Sequence, residues 1–188
     1  EMCIRDRVTT INEYNDILAL WIKMKQGTLS LNIETFDLNE LFELLGKGRR
    51  AFEMKNQKLE IGPTTVMVKA DRALTLFMIN TLAENARKYT PEGGTIKVYA
   101  RTMDAYVEIS VEDNGRGISE EDVARIIGEK VYDSRVIGMK NVADPEVLKE
   151  NKGSGFGLMN CKGIIEKYKK TNELFRGCVF DVESELGK

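Results

Sequence analysis

The segment Val107 to Ile118, V-E-I-S-V-E-D-N-G-R-G-I, constrains this chain more than any other. Val107, Ile109 and Val111 alternate with Glu108, Ser110 and Glu112, the period of a strand with one buried face. The strand runs into Asp113, with glycines following at Gly115 and Gly117. A carboxylate at the mouth of a buried strand is costly unless something hydrogen-bonds to it. Two glycines just beyond let backbone approach a ligand closely or take positive φ. Alone, the segment reads equally well as a ligand site and as a turn, because D-N-G is a common turn signal. The flanking segments decide between the two.

Upstream, Glu1 to Arg7 shares no periodic pattern with the residues after it and reads as a non-native scar from a translated adapter or as an ordinary frayed helix start. From Val8 to Gln26, Ile11, Tyr14, Leu18 and Trp21 recur at helical-seam spacing, and Gly27 ends the helix. One amphipathic helix cannot bury its own stripe, so this one needs a second helix, another chain or the downstream domain. Asp37 with Glu40 resembles a capping box opening a helix along Leu38, Leu41, Leu45 and Phe52. Lys58 to Ile61 and Val66 to Ala70 are strand candidates split by Gly62-Pro63.

Asp71 caps a longer helix whose expected buried stripe is Leu74, Met78, Leu82, Asn85 and Tyr89. At about 100° per residue, Asn85 falls within about 20° of Leu74 and Met78, so an amide shares the apolar face. Pro91 and Gly93-Gly94 stop the helix, and Thr95 to Arg101 alternates as a strand to pair with the central one. Ser119 with Asp122 caps a short helix to about Ile127; Gly128 to Lys152 is polar and weakly periodic, as a lid or a disordered loop is. Gly153 to Leu158 opens a helix with stripe Leu158, Cys161, Ile165 and Tyr168, and Cys178 to Val182 is a last strand.

Composition removes several classes. A net charge of −2 gives no field for nucleic acid or an anionic membrane surface, and no apolar run reaches the length of a span. Three cysteines without C-x-x-C spacing indicate neither a disulfide scaffold nor a zinc site, and suit a reducing cytoplasmic setting. With no histidine in the 188 residues, histidine triads and histidine metal sites are excluded within this chain.

Glycines running into a helix N-terminus make an anion site. Gly153-x-Gly155-x-Gly157 has no strand directly before it and no acidic residue about twenty on, so the dinucleotide fingerprint fails, and no P-loop is present. The chain instead carries three separated pieces in order: Asn85 with Arg87-Lys88-Tyr89, then Asp113-x-Gly115-x-Gly117, then Gly153-x-Gly155-x-Gly157.

This ordered triple resembles the ATP-binding catalytic domain of sensor histidine kinases, in the GHKL superfamily. Leu82 to Gly94 (L-A-E-N-A-R-K-Y-T-P-E-G-G) is similar to the family's N box. Val111 to Ile118 is similar to the first glycine box, and Lys152 to Leu158 to the second. The resemblance implies an α+β fold, a two-layer α/β sandwich with a mixed, mostly antiparallel sheet and helices on one face, preceded by a long N-terminal helix. Residues 8–32 then correspond to the second helix of the dimerisation and phosphoacceptor hairpin, and 33–188 to the catalytic domain, stopping short of its last strand.

The same resemblance implies roles. Asp113 would accept from the adenine amino group, Gly115 and Gly117 would let backbone close on the base, and Ile118 would line the pocket. Asn85 would hold Mg²⁺ through its side-chain oxygen. Lys88 would meet phosphate oxygens and Tyr89 would lie against the nucleotide. Gly153, Ser154, Gly155, Gly157 and Leu158 would wrap the phosphates. ATP and Mg²⁺ are the implied substrate and cofactor; a homodimer through the helical hairpin and a response regulator receiver domain are the implied partners, without nucleic acid or direct membrane contact.

Read from the residues alone, Tyr89 also suits plain core and Lys88 solvated surface, Glu84 lies about 100° round the helix from Asn85, and Cys161 is inert packing. The chain departs from the pattern at Thr81, where histidine kinases usually carry asparagine and ATP-hydrolysing relatives a glutamate. It departs again between the glycine boxes, where Ile126, Ile127, Val131 and Tyr132 stand in place of a phenylalanine box. The alternatives are a catalytically silent nucleotide-sensing or dimerisation module, and a serine kinase or ATPase of the same superfamily.

Overall fold

The computed structural model describes residues 19, 22–23, 26–121, 123–124 and 156–185. The chain divides into two compact units, Leu31–Val123 with Val182–Lys188, and Glu1–Ser30 with Ala124–Asp181.

The first unit holds β1 (Ile33–Asp37), α1 (Leu38–Lys47), α2 (Arg49–Glu53), β2 (Lys58–Ile61), β3 (Met67–Asp71), α3 (Arg72–Tyr89), β4 (Thr95–Thr102) and β5 (Val107–Asp113). These form the mixed α+β arrangement expected. A three-stranded sheet runs β2-β4-β5, and a separate antiparallel pair joins β1 to β3. β2 pairs parallel with β4 and β5 pairs antiparallel with it, with Ile96 opposite Asp113 and Val98 opposite Val111.

That register fixes which side chains face inward. Leu59, Ile96 and Val98 sit in one buried cluster with Phe36, Leu38, Leu41, Phe42, Leu45, Phe52, Ile79, Ala83 and Ala86. Lys97, Arg101, Glu108 and Glu112 lie on the other face, in the cross-strand pairs Lys97–Glu112 and Arg101–Glu108. Asp113 opposes Ile96, so its side chain leaves the strand on the helix-covered side, at the end of β5.

Several expectations are corrected. The buried residues of α3 are Leu74, Thr75, Ile79, Ala83 and Ala86, so the core-facing stripe is rotated by roughly 90° from the one through Met78, Leu82, Asn85 and Tyr89. Alanines 83 and 86 let the helix approach the sheet closely, a contact that weighting large apolar side chains overlooks. Glu40 does not complete a capping box. Asp37 caps α1 through the Asn39 N–H (2.9 Å), while Glu40 pairs with Arg72 (2.6 Å). Gly48 breaks the expected continuous helix into α1 and α2. β1 is an unexpected strand, because Ile33 and Phe36 lack strand alternation. Cys178 to Val182 forms no strand, although exposure alternates along 178–185 as a strand's would.

The second unit contributes α4 (Phe156–Thr171), followed by a 3-10 turn at Glu173–Phe175. Cys161, Ile164 and Tyr168 of α4 are buried, and Tyr168 meets Phe175 edge-on at 4.9 Å. Burial pushes the Cys161 thiol up to about 12, which fits its reading as inert packing. Of the helix expected from Val8 to Gln26, nearly all, including its seam residues, lies outside the described residues. Its end is as expected: Gly27 takes φ +68 and the Thr28 N–H reaches back to the Lys23 carbonyl (3.0 Å). Among the described residues no helix is long and apolar enough to cross a membrane.

Asp71 ties two elements into this frame. Its Oδ1 accepts from the Leu74 N–H (2.9 Å) at the start of α3, and its Oδ2 from the Asn32 N–H (2.8 Å) before β1. Asp71→Ala should therefore cost about 2 kcal/mol in urea unfolding, with Asp71→Asn between the two because an amide keeps one acceptor. Equal midpoints for all three would contradict this role.

Candidate nucleotide site

The site is built where the end of β5 meets the end of α3. Asp113 stands at the end of the strand, as expected, and is exposed because the strand stops at the edge of the core. Its Oδ1 accepts from the Gly115 N–H (2.8 Å) and the Thr90 hydroxyl (3.3 Å). Its Oδ2 accepts no hydrogen bond among the described residues. One oxygen is thus committed to the protein and the other is left for a donor.

Both glycines are needed here for different reasons. A Cβ at Gly115 would come within 2.5 Å of Asp113 Oδ1 and 3.1 Å of the Tyr89 carbonyl oxygen, so the loop packs backbone against helix end. Gly117 sits at φ +74, where an L side chain is strained. The Ile118 N–H then donates to Ser184 Oγ (2.7 Å), and Ile118 is half-buried.

The last turn of α3 presents the remaining residues of this unit. Asn85 is half-buried, and its amide has no hydrogen-bond partner among the described residues. Four residues on, Tyr89 is 37% exposed, with Lys88 Nζ at 5.3 Å and the Arg116 guanidinium at 5.6 Å from its ring centroid. Neither cation has a carboxylate within ion-pair distance among the described residues. Two positive charges beside one aromatic, unpaired among the described residues, make this corner attractive to an anion. Glu84 pairs with Arg87 (2.7 Å), which accounts for it as a surface ion pair.

Side chains that the motif pattern did not single out hold the end of the helix. Lys55 Nζ donates to the carbonyls of Arg87 (2.7 Å), Lys88 (3.2 Å) and Thr90 (3.1 Å), a cation on the helix's negative end. Gln57 Nε2 donates to the Arg87 (2.9 Å) and Thr90 (2.6 Å) carbonyls, and its own Oε1 is buried without a partner among the described residues. Asn114 Oδ1 accepts from the Thr95 N–H (2.7 Å), pinning the glycine loop to β4. These residues lie outside the matched boxes or serve them through contacts that no local spacing announces.

Gly157 and Leu158 lie in the first turn of α4, in the other unit, and Gly153, Ser154 and Gly155 lie outside the described residues. A hollow of about 360 Å³ touches Asp113 and Asn114. Its other walls, Glu60, Thr95, Lys97 and Glu112, belong to the polar outer face of the sheet, so it lacks the apolar lining a base takes.

Each glycine is open to a stability experiment, for its own reason. Gly117→Ala is expected to cost about 1–2 kcal/mol from backbone strain alone. Gly115→Ala is expected to cost a similar amount, about 1–3 kcal/mol, by forcing the Asp113 carboxylate off the Gly115 N–H and the loop off the Tyr89 carbonyl. Urea unfolding checks both; a neutral Gly115→Ala would contradict the close approach.

Against known proteins, residues 70–187 match the family described as histidine kinase-, DNA gyrase B-, and HSP90-like ATPase. The signal transduction histidine-protein kinase BaeS of Escherichia coli (strain K12) is 28% identical over 167 residues, which are 88% of this chain and 34% of BaeS. This chain therefore spans about a third of that relative's length. The catalytic domain of histidine kinase ThkA superposes with a TM-score of 0.55 at 27% identity, covering 72% of this chain and 81% of that one. ThkA in complex with response regulator protein TrrA superposes at 0.50 with 26% identity, over 62% of this chain and 36% of that one. Full-length ShkA in complex with AMPPNP gives 0.67 over 98% of this chain and 36% of that one; at 20% identity it shows the fold alone. The match along 70–187, which spans Asn85, Asp113 and Gly157, makes the chain a member of the histidine kinase-, DNA gyrase B- and HSP90-like ATPase family.

Proposed function

We propose that this chain is the ATP-binding kinase domain of a two-component sensor histidine kinase. It presents the γ-phosphate of Mg-ATP to a histidine on a dimerisation helix that this histidine-free chain does not contain. The observation that carries the reading is the Asp113 carboxylate, with Oδ1 held by Gly115 and Thr90 and Oδ2 left for a donor. An adenine amino group is such a donor. Family membership and the likeness to BaeS and ThkA support it.

In this reading Tyr89 lies against the nucleotide and Lys88 meets phosphate oxygens. Gly115, Gly117 and Ile118 close on the base. The turn Gly153, Ser154, Gly155, Gly157 and Leu158 wraps the phosphates at the start of α4 with backbone N–H groups. The half-buried Asn85 side-chain oxygen, without a partner among the described residues, is the hard donor that would hold Mg²⁺. That ion, when bound, neutralises charge on the phosphate oxygens. The bond from the γ-phosphorus to the β-bridging oxygen breaks as one to an imidazole nitrogen forms, leaving ADP. The chain's part is positioning and charge neutralisation. Thr81, one turn before Asn85, has no carboxylate with which to activate water, which favours transfer over hydrolysis.

Residues 8–32 serve as the second helix of a dimerisation hairpin, ahead of a catalytic domain at 33–188. Homodimerisation through that hairpin, a response regulator as phosphoryl acceptor and a cytoplasmic location belong to the same reading. The likeness to a kinase seen with a response regulator supports that partner.

Calorimetric titration with Mg-ATP tests the reading. The chain is expected to bind Mg-ATP, and Asp113→Asn to weaken binding by at least about tenfold, near 1.4 kcal/mol, by presenting an N–H to the base amine. No measurable Mg-ATP binding by the parent chain would favour a silent module and overturn the kinase reading.

A further inference from the structure

We propose that Thr90 is a positioning residue of the base site: it holds the Asp113 carboxylate in the orientation that offers Oδ2 to a base amino group. This rests on the nucleotide reading above. Thr90 is 1% exposed, and its hydroxyl is within hydrogen-bond distance of Asp113 Oδ1 (3.3 Å). A buried hydroxyl needs a partner, and among the described residues that carboxylate oxygen is the one it has.

The threonine has little freedom to turn elsewhere. Its N–H donates to the Ala86 carbonyl (2.9 Å), ending α3. Its carbonyl is gripped by Gln57 Nε2 (2.6 Å) and Lys55 Nζ (3.1 Å). Its methyl group lies where a Cβ on Gly94 would come within 2.2 Å, so the Pro91–Gly94 turn closes over that side. With backbone and methyl both held, the hydroxyl is left facing the strand end. Gly115 supplies the second donor to the same oxygen (2.8 Å), and the two together fix which oxygen points away from the protein.

Lys55 and Gln57 act through Thr90 in this arrangement. They hold the carbonyls of Arg87, Lys88 and Thr90, on either side of Tyr89, so one clamp steadies the stacking ring and the carboxylate's donor together. A carboxylate with both oxygens free to rotate would accept from either face of a base and would pair less selectively with an amino group.

Titrations with ATP and GTP test this in the whole chain. Thr90→Val is expected to weaken ATP binding about fivefold or more and leave GTP binding nearly unchanged, shrinking the preference for adenine. Thr90→Ser should restore the parent's affinity. In an Asp113→Asn background, Thr90→Val should have no further effect, an outcome that a merely structural threonine would not give. If Thr90→Val does not fold, Thr90→Ala, which keeps the backbone contacts, is read in the same way. A parent that binds ATP through Asp113 while Thr90→Val keeps its affinity and base preference overturns this proposal alone. A parent that does not bind ATP removes the nucleotide reading beneath it.

Discussion

One carboxylate oxygen joins the end of β5 to the end of α3. Oδ1 of Asp113 accepts from the Gly115 N–H and stands within reach of the Thr90 hydroxyl, while the Tyr89 carbonyl packs against Gly115. A strand end and a helix C-terminus both carry unsatisfied backbone groups, and bringing them together needs donors and close approach. Glycine at 115 allows the approach, and threonine at 90 supplies a donor. The other carboxylate oxygen is then left outward, the oxygen that the proposed function gives to a base amino group.

The junction is held from behind by groups that carry no chemistry of their own. Lys55 and Gln57 satisfy the last carbonyls of α3. Alanines 83 and 86 seat the helix on a sheet whose inward row is Leu59, Ile96 and Val98. Gln57 leaves its own Oε1 buried without a partner among the described residues, at a cost of about 1–3 kcal/mol. That cost is tolerated where adjoining carbonyls need donors and the amide faces them with its nitrogen. Positive charge gathers on the solvent side of the same turn, with Lys88 and Arg116 flanking the Tyr89 ring. The corner therefore combines an acceptor, an aromatic face and two cations, the groups a nucleotide needs from a protein.

Much of this is legible in the sequence where a short pattern has one physical reading. The alternation from Val107 to Val111 predicts β5, Asp71 predicts the start of α3, and Gly27 and Gly117 both take the positive φ their positions suggest. The pairing of Thr95–Arg101 with the central strand also appears, in the register that sets Asp113 on the helix-covered side of the sheet. The parts that are not legible depend on contacts distant in sequence. The buried face of α3 differs from the periodic one because Ala83 and Ala86 bury more completely than Met78 and Leu82, and only the neighbouring sheet decides that. Glu40 has the spacing of a cap and instead finds Arg72, on a helix far along the chain. Lys55 and Gln57 sit in a loop with no motif, and their role exists only once α3 ends above them.

The account stands on how Asp113 divides its two oxygens, and a crystal structure of the chain with Mg²⁺ and a non-hydrolysable ATP analogue measures that division. The account predicts the exocyclic amine of the base about 3 Å from Asp113 Oδ2. Oδ1 should still be taken by the Gly115 N–H and the Thr90 hydroxyl. A base bound elsewhere, or an Asp113 carboxylate turned away from both donors to meet it, would contradict it.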